Sequence, residues 1–212
     1  GSNSVEFKIE DTQLAFWINE CRATLIAQAI SKNQDISDTW VQKIGCLEME
    51  QVDDSDCCQV TNGCKVYRSV EELPDSLETF GDNFIIRVTM PSGEIISKSN
   101  AFNSTYSKYN KYTGSKPEWY IKNKHLYVIH KDVLKYVTVY MIAEDPTELG
   151  AFRDCSDTEC FSYNSDYPCS LKMANQITDI VVRTKVYPFL QLPADNRNDG
   201  ANNPEQPLPK KL

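Results

Sequence analysis

The chain has 212 residues, of which 41% are hydrophobic and 25% charged, and its formal net charge is −8. This length and composition predict a folded protein with one sizeable core, or one domain with a second small one inserted. The acidic balance, with an isoelectric point near 4.9, argues against a protein that binds nucleic acid by neutralising its phosphates. No apolar run approaches the roughly 18 residues that span a bilayer, and no signal peptide is visible, so no membrane association is expected.

The strongest periodic pattern in the sequence lies near its start. Asp11 or Thr12 is a suitable cap, and apolar residues then recur at helical spacing through about Ser31. The residues on this apolar face are Leu14, Trp17, Ile18, Cys21, Leu25 and Ala29. The pattern predicts a long amphipathic helix.

A second, short helix is predicted to follow the first. Ser37 is a suitable cap and Gly45 a suitable stop. Between them, Trp40, Val41 and Ile44 stand at positions that one face of a helix would bury.

The middle third of the sequence predicts antiparallel strands, because strand-forming residues alternate with turn residues. The predicted strands are residues 47–52, 65–68, 84–90, 95–96, 119–121, 125–130 and 133–143. Asn123-Lys124 is predicted to form a tight turn between two of them.

A final helix is predicted after Ser170, which is a suitable cap, and Pro188 ends it. Leu171, Ala174 and Ile177 lie along its apolar face. Beyond residue 193 the sequence is almost free of apolar residues, so that segment cannot bury enough surface to fold alone.

The order of these elements predicts an α+β fold, in which the terminal helices form a bundle with an inserted small antiparallel β unit and an extended C-terminal arm. The segments are residues 1–46 (N-terminal helical part of the bundle), 47–149 (β insertion), 150–192 (C-terminal helical part) and 193–212 (arm). Because neither helical segment makes a core alone, they are expected to form one composite domain.

The sequence contains no set of residues typical of an active site. His125 and His130 are an odd number of residues apart on a predicted strand, which places them on opposite faces. The acidic residues 53–56 lack the glycine and distal glutamate of a calcium loop. No phosphate-binding loop or serine nucleophile motif occurs. We therefore expect no catalytic residue, no metal and no cofactor, and a protein that is not an enzyme.

The eight cysteines are the one feature that leaves a disulfide, a metal site or a nucleophilic role open. Most stand in two clusters, Cys57-Cys58-x5-Cys64 and Cys155-x4-Cys160-x8-Cys169. Neither cluster contains the C-x2-C spacing of most zinc sites, and free, mostly buried thiols are favoured over disulfides and over a metal site. Cys21 is expected in the core, and a cysteine nucleophile with a lowered pKa remains an alternative.

Residues 106–124 interleave tyrosines with lysines in an otherwise acidic chain. The contact residues of this stretch are predicted to be Tyr109, Lys111, Tyr112 and Trp119. The alternative function is therefore a carbohydrate-binding or host-surface-binding module that uses this loop.

Three parts of the sequence carry a resemblance to a known family. They are Leu14-x2-Trp17-Ile18-x2-Cys21-x3-Leu25 with residues 46–58, residues 124–128 with 137–139, and Asp166-Tyr167-Pro168-Cys169 with residues 193–200. Together they resemble the neck or adaptor ring proteins of short-tailed phages, which connect head to tail. The resemblance is greatest to the structural ring proteins of crAss-like phages.

The resemblance implies a homo-oligomeric ring, commonly a dodecamer, below the portal at the head–tail junction of the virion. Its partners would be other copies of itself, the portal protein and other tail or neck rings, and the protein would be made in the host cytoplasm. Genomic DNA would pass through the centre of the ring without specific recognition.

The resemblance also implies that the arm from residue 193 to residue 212 docks onto the portal. The arm residues to which this role is assigned are Asp195, Asn198, Asp199, Lys210, Lys211 and Leu212. No residue is implied to be catalytic.

Overall fold

A computed structural model describes residues 9–52, 65–79, 82–100 and 116–188 of the chain. Helix α1 spans Asp11–Ser31, and helix α2 spans Leu171–Val181 and continues into a π-helical turn, Val182–Val186. Short 3₁₀ turns lie at Asp38–Trp40 and Pro146–Ala151. No helix within the described ranges is long and apolar enough to cross a membrane.

Nine strands lie between the two helices in the described residues. They are β1 (Gln42–Val52), β2 (Lys65–Ser69), β3 (Glu78–Thr79), β4 (Asp82–Asn83), β5 (Ile85–Thr89), β6 (Ile95–Lys98), β7 (Glu118–Lys122), β8 (His125–His130) and β9 (Tyr136–Met141). Seven of them close into a barrel in the order β1-β2-β8-β7-β6-β5-β9, while β3 and β4 form a separate two-stranded sheet. All neighbours in the barrel are antiparallel except β6 and β7.

The closed barrel overturns the predicted fold class. The expected α+β fold, a bundle of terminal helices with an inserted small antiparallel β unit, is wrong because the strands form the main body of the protein. β1 also runs across the predicted boundary between residues 46 and 47. The division into four segments stays a prediction, and its arm lies beyond the residues that the structure describes.

The second, short helix predicted to start at Ser37 is also wrong. Ser37 Oγ does accept a hydrogen bond from the backbone N–H of Thr39, at 3.4 Å, but the turn ends at Trp40. β1 follows, and its register against β9 shifts between Ile44 and Leu47. The helix-like spacing of Trp40 and Ile44 has another origin, because Trp40 lies in the turn and packs with the helices, whereas Ile44 lies in β1 and enters the barrel core.

Several local predictions are confirmed. α1 ends at Ser31 as predicted, although its N-cap is Glu10, without a side-chain hydrogen bond, rather than Asp11 or Thr12. α2 begins after Ser170, whose Oγ accepts a hydrogen bond from the backbone N–H of Met173 at 3.3 Å. Asn123 and Lys124 form the turn between β7 and β8, with φ angles of 51° and 61°. Positive φ at both positions is what a two-residue hairpin turn requires.

The interior of the barrel is filled by side chains, as expected for a barrel of this size. Its core comprises mostly aliphatic residues from all seven strands and from the segments that follow them. Those buried most completely are Ile44, Val88, Leu126, Val128, Val139, Met141, Ala143 and Leu149.

A second core joins the two helices to one side of the barrel. It contains Trp17, Cys21, Ala23, Ile26, Ala29, Trp40, Leu77, Ile142, Met173, Ile177 and Val181. The helices therefore do pack against each other, but as a layer on the barrel rather than as a bundle. Leu14 and Leu171, which were expected on the apolar faces, are 36% and 80% exposed.

One disulfide links the barrel to the segment that precedes α2. Cys46 in β1 and Cys155 have Cα atoms 5.1 Å apart and are joined across 109 positions of sequence. The prediction of free thiols is wrong for this pair and right for Cys21, Cys160 and Cys169. The cluster at residues 57–64 lies outside the described residues.

Gly45 allows the disulfide segment to lie against β1. A Cβ atom at this position would be 2.8 Å from Cβ of Asp154 and 3.2 Å from its Cα. A side chain at Gly45 would push Asp154 away from β1. Glycine at this position therefore allows the neighbouring cysteines, Cys46 and Cys155, to form their disulfide.

Replacing Cys46 with serine tests the role of the disulfide. We expect Cys46→Ser to lower the free energy of unfolding by about 3–5 kcal/mol, because a cross-link over so long a segment strongly restricts the unfolded chain. The measurement is denaturant unfolding followed by tryptophan fluorescence. Cys169→Ser, which removes a free thiol, is the control, and an equal loss in both variants would contradict the assignment.

Candidate functional site

The predicted contact residues fall in two places. Tyr109, Lys111 and Tyr112 lie outside the described residues, so their role stays a prediction. Trp119 is only 2% exposed, and its indole N–H donates a hydrogen bond to the carbonyl oxygen of Ile96 at 3.1 Å. Its ring belongs to the barrel core and is not available to a partner on the surface.

The predicted docking arm also lies outside the described residues. Its members are Asp195, Asn198, Asp199, Lys210, Lys211 and Leu212. The acidic residues 53–56 are not described either.

The two histidines stand at opposite ends of β8. Nδ1 of His125 lies 2.9 Å from the carbonyl oxygen of Ser69, and Nδ1 of His130 accepts a hydrogen bond from the backbone N–H of Asp132 at 3.1 Å. Each therefore has a local backbone partner. In the part of the chain that the structure describes, no group of three or more His, Cys, Asp or Glu side chains is arranged to hold a metal ion.

The three free thiols of the described residues are in environments that oppose nucleophilic chemistry. Burial raises the pKa of Cys21, Cys160 and Cys169 above the ordinary value of a thiol. A nucleophilic cysteine needs the opposite shift, which makes the thiolate available near neutral pH. These three residues thus favour a structural role.

The most constrained polar group of the described residues is Arg22 in α1, which is completely buried. Its guanidinium donates hydrogen bonds to three backbone carbonyls: Nε to Pro168 at 2.8 Å, Nη1 to Ala143 at 2.9 Å and Nη2 to Trp40 at 3.1 Å. Burial lowers the pKa of Arg22 from its ordinary value, while nearby Asp145 acts in the opposite direction. The planar group joins α1 to three separate segments at once.

A chain of hydrogen bonds continues from Arg22 along the same side of α1. The ring of Tyr167 lies under the guanidinium, with its centroid 5.9 Å from Cζ, and its hydroxyl donates to Oδ1 of Asn19 at 2.7 Å. Nδ2 of Asn19 in turn donates to Oδ1 of Asp145 at 2.7 Å. Burial raises the pKa of Tyr167, so this hydroxyl stays protonated and available as a donor.

This polar network fixes the walls of two grooves, one on each side of α1. The first, which we call the apolar groove, has a volume of about 320 Å³. Its main lining residues are Ala15, Ile18, Phe161, Tyr163, Ala174 and Ile177. Tyr163 is 84% exposed and packs edge-to-face on Phe161, with ring centroids 6.2 Å apart, so a large aromatic surface faces solvent.

The second groove, which we call the acidic groove, has a volume of about 330 Å³. Its carboxylates are Glu20, Asp75, Glu144, Asp145 and Glu148, and Phe16, 64% exposed, lies beside them. Lys124 pairs with Asp75 at 2.6 Å, and Lys185 pairs with Glu20 at 2.9 Å.

Two carboxylates of the acidic groove stay without a cationic partner. No ion pair within the described ranges involves Glu144 or Glu148. Glu148 Oε2 accepts a hydrogen bond from the backbone N–H of Asp75 at 3.1 Å, and the Lys124 ammonium, which pairs directly with Asp75, acts on Glu148 only through a weaker, longer-range attraction. Both side chains are exposed, so a cationic partner has access to them.

Sequence reasoning missed both grooves and the network between them. One signal was present in the sequence. Arg22 stands between the apolar residues Cys21 and Ala23, and both of these neighbours are buried in α1. An arginine in that position is almost never fully buried unless its donors are satisfied. The grooves had no local signal, because their walls come from α1, from residues 144–148 and from residues 161–178.

The described residues form a disulfide-linked barrel with a layer of two helices on one side and two grooves beside α1. A family model for phage tail ring protein 2 matches residues 2–204, so the chain belongs to this family of crAss-like phage ring proteins. No curated protein matches the sequence.

Membership of the family confirms the resemblance and the coarser functional expectations. The chain is a structural phage tail ring protein, which implies a place in the virion, association with copies of itself and partners in the phage tail. A structural ring family also indicates a role other than catalysis.

Replacing Arg22 tests whether the network holds the helices to the barrel. We expect Arg22→Leu to lower the free energy of unfolding by about 3 kcal/mol or more, because two buried carbonyls and one partly buried carbonyl lose their donors. Arg183→Leu is the control, since Arg183 makes only an exposed pair with Asp179, worth less than about 1 kcal/mol. Denaturant unfolding measures both, and equal effects would show that the network is not required for stability.

Proposed function

We propose that the chain forms a homo-oligomeric ring at the head–tail junction, which joins the portal to the tail and lets genomic DNA pass through its centre. The observation that carries this proposal is the family match over residues 2–204. The proposed partners are the portal protein and other tail or neck rings, and the proposed ring is a dodecamer.

The barrel supports assembly through side-chain surfaces. The seven strands of the closed barrel leave no free strand edge, so contacts made by the barrel itself use side-chain surfaces. Large apolar side chains are nevertheless exposed on the described surface. The most exposed are Phe16, Val133, Tyr163 and Leu171. Contact with neighbouring subunits or adjacent rings would remove such surfaces from water.

The charge of the chain supports passage of DNA without binding. At −8 per chain, a ring of several copies has a strongly negative field. Such a field repels phosphates and keeps DNA from adhering to the inner wall. The disulfide and the filled barrel core add resistance to deformation while DNA passes.

The arm is proposed to attach the ring to an adjacent protein of the assembly. Residues 193–212 contain little that is apolar, so they gain stability by docking onto a surface rather than by folding alone. The proposed contact residues are Asp195, Asn198, Asp199, Lys210, Lys211 and Leu212.

Mass measurement of the purified chain, alone and with portal protein, tests the proposed ring. We expect closed particles of about 290 kDa for twelve copies of the 24.2 kDa chain, formed alone or on the portal, with a central hole in negative-stain images. A chain that remains monomeric at every concentration, with portal protein present, would rule the proposal out.

A further inference from the structure

We propose that residues 204–212 of one copy bind across the two grooves beside α1 of the adjacent copy. This inference rests on the proposed ring and names the partner of its arm as a second copy of this chain. In this segment two leucines, Leu208 and Leu212, flank Lys210 and Lys211. Leucine is suited to the apolar groove, and the two lysines are suited to the acidic groove.

The two grooves are close enough to bind one short peptide. Ile18 lines the apolar groove and Glu20 lines the acidic groove, and Asn19 between them lines both. Since a helix with its side chains is about 10 Å across, the grooves are separated by a distance of that order.

The sequence of residues 204–212 has matching spacing. Leu208 and Lys211 are three residues apart, which is roughly 10 Å in an extended chain. Leu208 thus reaches the apolar groove when Lys210 and Lys211 lie in the acidic groove. Adjacent lysines are a concentrated positive charge in a chain with 30 acidic and 22 basic residues.

The acidic groove already binds two ammonium groups and has capacity for two more. Lys124 and Lys185 neutralise Asp75 and Glu20 respectively. Glu144 and the neighbouring Glu148 stay unpaired among the described contacts, which provides one carboxylate for each lysine of the incoming segment.

The length of the connection allows the segment to dock on a neighbouring copy. Pro204, Pro207 and Pro209 fix their φ angles, so the segment loses less conformational freedom when it binds in an extended form. The described chain ends at Pro188, close to Lys185 and its contact with Glu20. The 24 residues of 189–212 reach up to about 80 Å when extended, more than the width of a subunit with a radius of gyration near 17 Å.

A binding titration tests the match between segment and grooves. The probe is a fluorescently labelled peptide of residues 204–212, added to full-length chain that carries Lys210→Glu and Lys211→Glu so that its own segment does not compete. We expect saturable binding that weakens with salt. In this background Glu144→Gln with Glu148→Gln is expected to weaken binding on the order of fivefold, since two exposed charge pairs are lost.

Glu94→Gln with Glu159→Gln is the matched control, because both residues are exposed acids that line neither groove. The peptide is expected to bind this variant unchanged. Absence of peptide binding, or equal affinity for the groove variant and the control, would overturn the proposal.

Cross-linking identifies the copy whose grooves are filled. A photoreactive amino acid at position 208 is introduced into an equal mixture of ¹⁵N-labelled and unlabelled full-length chains. We expect cross-links to residues 15–20 that join heavy and light peptides. Cross-links within single copies only, or transfer of the cross-link to added portal protein, would overturn the assignment of the partner.

These experiments distinguish a failure of the proposed ring from a failure of the proposed docking site. If the chain forms rings but the peptide does not bind, the inference fails and the proposed ring stands. If the peptide binds the grooves but no ring forms with or without portal protein, the docking site stands and the proposed ring fails.

Discussion

The arrangement of this protein depends on one buried cation. Arg22 has no carboxylate directly against it; its guanidinium instead binds carbonyl oxygens that belong to the entry of β1, the exit of β9 and the approach to α2. Charge in a dry interior is costly unless its donors are satisfied. The three segments must therefore be in place together, which couples the helical layer to the barrel and sets the width of both grooves beside α1.

Local features of the fold were predictable from the sequence, and contacts between distant segments were not. The turn at Asn123-Lys124 and the cap at Ser170 depend on neighbouring residues, so the sequence predicts them correctly. Barrel closure depends on the pairing of β1 with β9 and of β2 with β8, strands that are distant in sequence. The start of β1 was mistaken for a helix because Trp40 and Ile44 stand at helical spacing although they are buried in two different cores.

The grooves of the candidate site were even harder to predict from the sequence than the barrel, because their walls come from distant segments. Asp145 and Glu148 read only as the end of the predicted β region, because nothing nearby in the sequence shows that α1 packs beside them. Trp119 was predicted to be a surface contact because it stands in a lysine-rich stretch, but its side chain is buried inside the barrel. Family membership was predictable, because it rests on patterns spread along most of the chain.

The link between Cys46 and Cys155 has a mechanical consequence. Tension applied to the chain on either side of the pair passes through the sulfur atoms, because the covalent bridge is the shorter route. The enclosed chain, which holds every strand of the barrel after β1, bears none of that load. For a separation of 109 residues, the disulfide therefore prevents up to about 380 Å of chain from being pulled out. A subunit pulled at both ends of its chain would stretch first at its helical layer.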